Sequence, residues 1–130
     1  MDYAQEIIDL HQFFEDWFNA RLEQSAFSRF ADTMAAHFVI ISPGGQLSER
    51  PALLDGLRAA YGQRPGLRIW IENIRLRHQQ NTLLIVTYEE WQQHNDSPPT
   101  ARLSTVVFQQ EAAMPHGLMW LHVHETWLPV

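Results

Sequence analysis

Apolar residues recur at helical spacing in the first part of this chain and at strand-like spacing in its second half. Over residues 4–24, Ile7, Leu10, Phe14, Trp17 or Phe18, and Leu22 fall every three or four positions, while Glu6, Asp9, Glu15, Asp16 and Glu23 take the other face. That stripe predicts an amphipathic helix. Ser25 offers an N-cap for a second helix reaching about Ala36, with Phe27, Phe30 and Met34 turned inward. Residues 37–42 read as a short strand, which Pro43-Gly44-Gly45 turns into a hairpin with Gln46-Leu47. Ser48 then caps a third helix, with Pro51 in its first turn, Leu53, Leu54, Leu57 and Tyr61 at helical spacing, and Gly62 as a left-handed stop.

The rest of the chain reads as strand. Four segments at about residues 67–78, 82–94, 100–110 and 118–128 are separated by Gln79-Gln80-Asn81, by Asn95-Asp96-Ser97-Pro98-Pro99 and by Met114-Pro115-His116-Gly117, all rich in turn formers. Strands usually run to about five or six residues, and these are longer. Long antiparallel strands twist and coil, so the sheet is expected to curl around the preceding helices. No repeat or linker interrupts residues 1–130, which are expected to form one α+β domain.

The last strand is the richest in chemistry. Trp120, His122, Val123, His124, Glu125, Thr126 and Trp127 lie within eight residues. Strict alternation places Trp120, His122, His124 and Thr126 on one face and Glu125 on the other. Two imidazoles and a carboxylate suit a pocket wall or an interface better than an apolar core. An H-x-H pair offers two metal ligands, but a third would have to come from a neighbouring strand, and no H-E-x-x-H signature is present. The expectation is therefore no metal and no cofactor.

Composition narrows the classes. The 130 residues carry a net charge of −6 and no Cys, and 45% are hydrophobic. The acidic balance and lack of a basic stripe argue against nucleic-acid binding. The absence of Cys excludes disulfides, thiol catalysis and Cys-type zinc sites. No apolar run approaches the roughly 20 residues of a membrane helix and the N-terminus lacks a signal core, so a cytoplasmic protein without membrane attachment is expected. Nucleotide and acyl-transfer fingerprints are missing too.

Three segments, His37-Phe38-Val39-Ile40-Ile41-Ser42-Pro43-Gly44-Gly45, Tyr88-Glu89-Glu90-Trp91 and Trp120-x-x-Val123-His124, together with the order of elements, resemble the nuclear transport factor 2-like (cystatin-like α+β) superfamily. The likeness extends over the whole chain and is nearest to small bacterial single-domain members, among the polyketide-cyclase-like, ketosteroid-isomerase-like and calmodulin-kinase-association-domain-like branches. It implies a conical fold, in which three helices pack in a strongly curved, mostly antiparallel sheet of a short hairpin and four long strands. It further implies a pocket between sheet and first helix, and a homodimer formed through the outer sheet face. Isomerases, dehydratases, cyclases and oligomerisation modules share this fold, so the fold alone does not fix the function.

Tyr88 and Glu90 share a strand face, and a Glu buried there would have its pKa raised by desolvation and could act as a base. The alternative is a Glu paired across the ladder with Arg68, Arg75, Arg77 or Arg102. The resemblance also implies a catalytic pocket Asp in the family's isomerases and cyclases. Here the sheet carboxylates are instead Glu72, Glu89, Glu90 and Glu125, with every Asp on a helix or at a loop tip. The first expectation is a small-molecule-binding homodimer. Its aromatic pocket would be lined by Trp17, Trp70, Tyr88, Arg102, Trp120 and His122, and it would take a small apolar or aromatic ligand that can carry a carboxylate. The second is an isomerase, dehydratase or cyclase with Glu90 as base and His124, at the V-H position, or Tyr88 as proton donor. The third is a dimerisation module with an incidental pocket.

Overall fold

The computed structural model describes all 130 residues. Helix α1 (Tyr3–Phe18) is followed by a 3-10 turn (Gln24–Phe27), a single helical turn α2 (Ser28–Ala31), strand β1 (Met34–Ile41), the short β2 (Leu47–Glu49) and helix α3 (Arg50–Ala59). Four long strands complete the chain: β3 (Leu67–Gln80), β4 (Leu83–His94), β5 (Thr100–Gln110) and β6 (Leu118–Leu128). They form one six-stranded sheet in the order β2-β1-β6-β5-β4-β3, antiparallel throughout except for the parallel β1–β6 pair. This is the three-helix, curved-sheet α+β architecture expected from the order of elements.

The concave face of the sheet holds the core. Ile7, Leu10, Phe13 and Trp17 from α1 pack with Phe27 and Phe30, and against Leu84, Val86 and Tyr88 of β4, Val106 and Phe108 of β5, and Leu118, Trp120 and Val123 of β6. The curl comes partly from β3. Its register on β4 shifts between Glu72 and Arg75, where Asn73 adopts φ +55°. Such a bulge bends the strand and increases its twist.

The helices are shorter than the hydrophobic pattern suggests. α1 stops at Phe18 because tertiary contacts claim its end. Ala20 adopts φ +54°. The Asn19 side chain donates to Glu15 O and Leu67 O and accepts from Gly66 N–H, tying the helix end to the start of β3. The predicted second helix is reduced to α2 after a 3-10 turn, and Ser25 caps nothing there. Thr33 ends it: its hydroxyl donates to Arg29 O and Phe30 O, and its own carbonyl accepts from Trp120 N–H. β1 therefore begins at Met34, in register with Trp120. Ser48 lies in β2 opposite Ile40, and α3 starts after Glu49 without a side-chain cap.

A second bulge decides which face each residue of β6 presents. Val107 pairs with His122, but Phe108 pairs with Trp120, leaving Leu121 as the extra residue. Parity flips at that point. Trp120 points inward, and so do Val123 and Glu125, while His122 and His124 point outward.

Candidate functional site

Between the concave sheet face, α1 and α3 lies a cavity of about 260 Å³, lined by 19 residues of which 13 are hydrophobic. The walls combine Leu10, Phe14 and Phe18 of α1, Leu53 and Leu57 of α3, and Phe38 and Ile40 of β1 with the inner positions of the long strands. Arg64 is the exposed lining residue, its guanidinium 5.7 Å from the Phe18 ring, so it marks the mouth.

Most polar groups of the cavity's sheet wall come from two adjacent rows of the ladder. Glu90 on β4 faces Arg102 on β5, which faces Trp127 on β6; Tyr88, Ser104 and Glu125 form the next row. His11 of α1 comes down onto them. Its Nε2 lies 3.1 Å from Glu90 Oε1 and its Nδ1 lies 2.7 Å from Ile7 O, with the ring edge-on to Tyr88 at 5.3 Å. Gln92 Nε2 donates to Glu90 Oε2 at 2.6 Å. Arg102 Nη1 donates to Glu125 Oε1 at 3.2 Å, and its guanidinium sits 4.9 Å from the Trp127 ring. Ser104 Oγ is fully buried beside the Tyr88 phenol and makes no close hydrogen bond.

This geometry fixes the protons. A carbonyl only accepts, so His11 Nδ1 carries a hydrogen; Nε2 faces a carboxylate, so it donates as well. His11 and Glu90 thus form a buried ion pair, with side-chain exposures of 4% and 9%. Burial pushes the Glu90 carboxyl up. The His11 imidazolium, its hydrogen bond, Arg102 and Gln92 outweigh that and bring it down to about 2. Burial likewise pushes His11 down, but Glu90 and the bond to Ile7 O leave it raised. Glu125 is raised by burial and by the negative Glu90, against the pull of Arg102. Burial and the two carboxylates hold the Tyr88 phenol well above its usual range, so it stays protonated. The two carboxyls of the cavity are therefore shifted in opposite directions, Glu90 down and Glu125 up.

A further buried carboxylate, Glu6 of α1, accepts from Trp120 Nε1 and from Arg29 Nη2, both at 2.8 Å. It holds α1, α2 and β6 together next to the cavity and does not line it.

Residues 3–129 match the family model for the C-terminal domain of sucrose-6-phosphate phosphohydrolase. The chain belongs to this family. Sucrose-phosphatase 1 of Nicotiana tabacum is 22% identical over 96% of the chain, and probable sucrose-phosphatase 2 of Arabidopsis thaliana is 25% identical over 95%. The chain spans 30% of the length of each. Among solved structures, a nuclear transport factor 2-like protein of unknown function from Pseudomonas aeruginosa superposes with a TM-score of 0.88 at 29% identity, covering 98% of both chains. A CaMKII hub from S. rosetta superposes with a TM-score of 0.61 at 18% identity, covering 85% of this chain and 92% of its own. The resemblance carried by the sequence motifs covers the fold and does not distinguish this family within it.

Of the residues singled out from sequence, Tyr88, Glu90, Arg102 and Trp120 meet at the family member's cavity. Trp17 does not: it lies in the core, with Nε1 donating to Leu57 O. Trp70 lies on the outer sheet face, stacked on Trp91 with ring centroids 6.0 Å apart. His122 and His124 also face outward, opposite Val107 and Thr105, because the bulge at Leu121 breaks the alternation that placed them with Trp120. His124 therefore does not converge with Glu90. No three His, Asp or Glu side chains are grouped as a metal ion needs. The Glu90 carboxyl is lowered rather than raised, since its burial is accompanied by an imidazolium that sequence spacing does not reveal. His11 and Glu125 are the residues that sequence reasoning missed. His11 had one available signal: it follows Leu10, and it occupies the same helix face as Ile7 and Phe14.

Proposed function

We propose that this domain binds a small, largely apolar or aromatic molecule in its cavity and does so as a homodimer joined through the outer sheet face. One observation carries the binding reading: His11, Glu90, Arg102 and Glu125 stand together in a cavity whose other walls are mostly hydrophobic. Taking charges out of water costs several kcal/mol per ion, and an apolar replacement of similar volume is often as stable. Stability alone gives little reason for such a group, whereas an apolar pocket with a few converging polar groups is the usual form of a ligand site. The sucrose-phosphatases are proteins of which this domain spans 30%, so the reading rests on the cavity and not on their named activity.

The test is a thermal-shift screen of small amphiphilic compounds against the wild type and against Val123→Trp, which plugs the cavity from β6. Compounds that stabilise the wild type and have no effect on the plugged variant support the proposal. A screen without hits, or hits that survive the plug, contradicts it.

An ionised Glu90 standing near a Glu125 whose carboxyl is raised by burial and by Glu90 supports a second reading, an isomerase, dehydratase or cyclase type of enzyme. In that reading Glu125 is the proton donor and the His11–Glu90 pair is the acceptor side. Exchange of deuterium into the α-carbon of a bound ketone, lost in Glu125→Gln while the fold is kept, would demonstrate it.

A further inference from the structure

In the cavity the Arg102 guanidinium is only partly used by the protein, and one hydroxyl is buried without a close partner. Both oxygens of Glu90 are taken, Oε1 by His11 and Oε2 by Gln92. Arg102, although in register with Glu90, makes its one hydrogen bond to Glu125 Oε1. A guanidinium has five N–H donors in a planar fork suited to a carboxylate, and a single 3.2 Å contact uses one of them. Beside it, the buried Ser104 hydroxyl, in the row between Tyr88 and Glu125, makes no close hydrogen bond and has the Tyr88 phenol as its neighbour. The Trp127 ring backs the guanidinium from one side. Arg102 thus has one carboxylate oxygen beside it, that of Glu125, and N–H groups left over for a second carboxylate, while most residues around the remaining space are hydrophobic.

We infer that the cavity takes a small apolar or aromatic carboxylic acid, whose carboxylate displaces Glu125 from Arg102 while Glu125 takes up one proton from solvent. The inference rests on the binding reading of the cavity and specifies its ligand. In the empty cavity His11 is paired with Glu90 and Arg102 with Glu125. An incoming carboxylate would place a third negative group among Glu90, Glu125 and Arg102, which one guanidinium cannot compensate in a buried site. Protonating Glu125 restores the balance. The groups facing Glu125 are Glu90 and Tyr88 from β4, Arg102 and Ser104 from β5, and His11 from α1. Glu90 is bound to His11, and the Tyr88 phenol is already protonated. Glu125 is therefore the group free to accept the proton.

The experiment is isothermal titration of the intact chain with matched pairs: phenylacetate and phenylacetamide, indole-3-acetate and indole-3-acetamide, hexanoate and hexanamide. The expected result is that at least one acid binds tenfold or more tighter than its amide. Titration in two buffers of different ionisation heat should show about one proton taken up per acid bound. Affinity should fall by up to about tenfold per pH unit on the alkaline side, which is the slope for uptake of one proton. Arg102→Gln should remove the preference for acid over amide. Glu125→Gln, a milder change, should bind the acid without proton uptake and with a flat pH profile. Acid and amide binding equally well would overturn the inference and leave the binding reading standing. Acid binding without proton uptake in the wild type would overturn the displacement of Glu125. If no member of any pair binds, the inference falls; if the broader compound screen also lacks hits that depend on an open cavity, the binding reading falls with it.

Discussion

The His11 ring donates to Glu90 Oε1 at 3.1 Å and to Ile7 O at 2.7 Å, so a helix and the fourth strand are joined by a charged imidazole that both elements bury. Removing one member of such a pair leaves the other without its counter-charge. His11→Ala should destabilise the fold by about 3–5 kcal/mol, the usual range for breaking a buried ion pair. Glu90→Gln should cost on the order of 1–2 kcal/mol, because a neutral imidazole can accept from the carboxamide. Denaturant unfolding of both variants measures the difference. Equal losses would show that the pair is not ionic.

The same pair sets a pH window for stability. Glu90 is lowered to about 2 from 4.5, so its contribution is complete above 4.5 and is lost as pH falls through about 2. His11 is raised from 6.5, so its contribution is complete below 6.5 and is lost as pH rises through its folded value. Glu125 is raised, so its ionisation in the folded state also removes stability as pH rises. The melting temperature should therefore be highest between about 4.5 and 6.5. Glu125→Gln should remove the loss that begins as pH rises above about 4.5. A melting profile that climbs steadily to pH 8 would contradict these directions.

Glu6, completely buried, is held by Trp120 Nε1 and Arg29 Nη2. Trp120→Phe keeps the ring packing against Phe108 but leaves one carboxylate oxygen without a donor. The expected loss is about 1–3 kcal/mol, the cost of stranding a buried acceptor. Urea titration followed by circular dichroism reads it, and a loss below about 0.5 kcal/mol would show that the bond contributes little net stability.

The outer sheet face carries the stacked Trp70 and Trp91 together with Ile85, Leu103 and Val107 on β3, β4 and β5. Leu103 is 37% exposed in the single chain. If this face joins two copies, light scattering will give twice the chain mass, and Leu103→Asp with Val107→Asp will give a single chain that remains folded. A wild type of single-chain mass at micromolar concentration would remove the homodimer from the proposal.

The long strands could be read from the sequence because each is an unbroken run of strand formers bounded by turn residues; β5 and β6 run over the segments that the pattern predicts. The helix ends could not, because Asn19 and Thr33 stop α1 and α2 through bonds to β3 and β6 that no local pattern encodes. The inner row of β4 and β5 follows simple alternation, which is how Tyr88, Glu90 and Arg102 came to be grouped. Alternation fails on β6, where one extra residue, Leu121, exchanges His122 and His124 for Val123 and Glu125. His11 is not legible in the sequence for a different reason. Its partner is distant in sequence, and a single His on an apolar helix face does not announce a carboxylate beneath it.

The central claim is that the cavity beneath α1 holds a small molecule, and the most direct measurement is native mass spectrometry of the gently desolvated protein, as wild type and as Val123→Trp. The account predicts an added small mass on each wild-type chain, taken up from the expression host or from an added amphiphilic acid, and absent from the plugged variant. Bare wild-type chains under every condition, or the same added mass on the plugged variant, would contradict it.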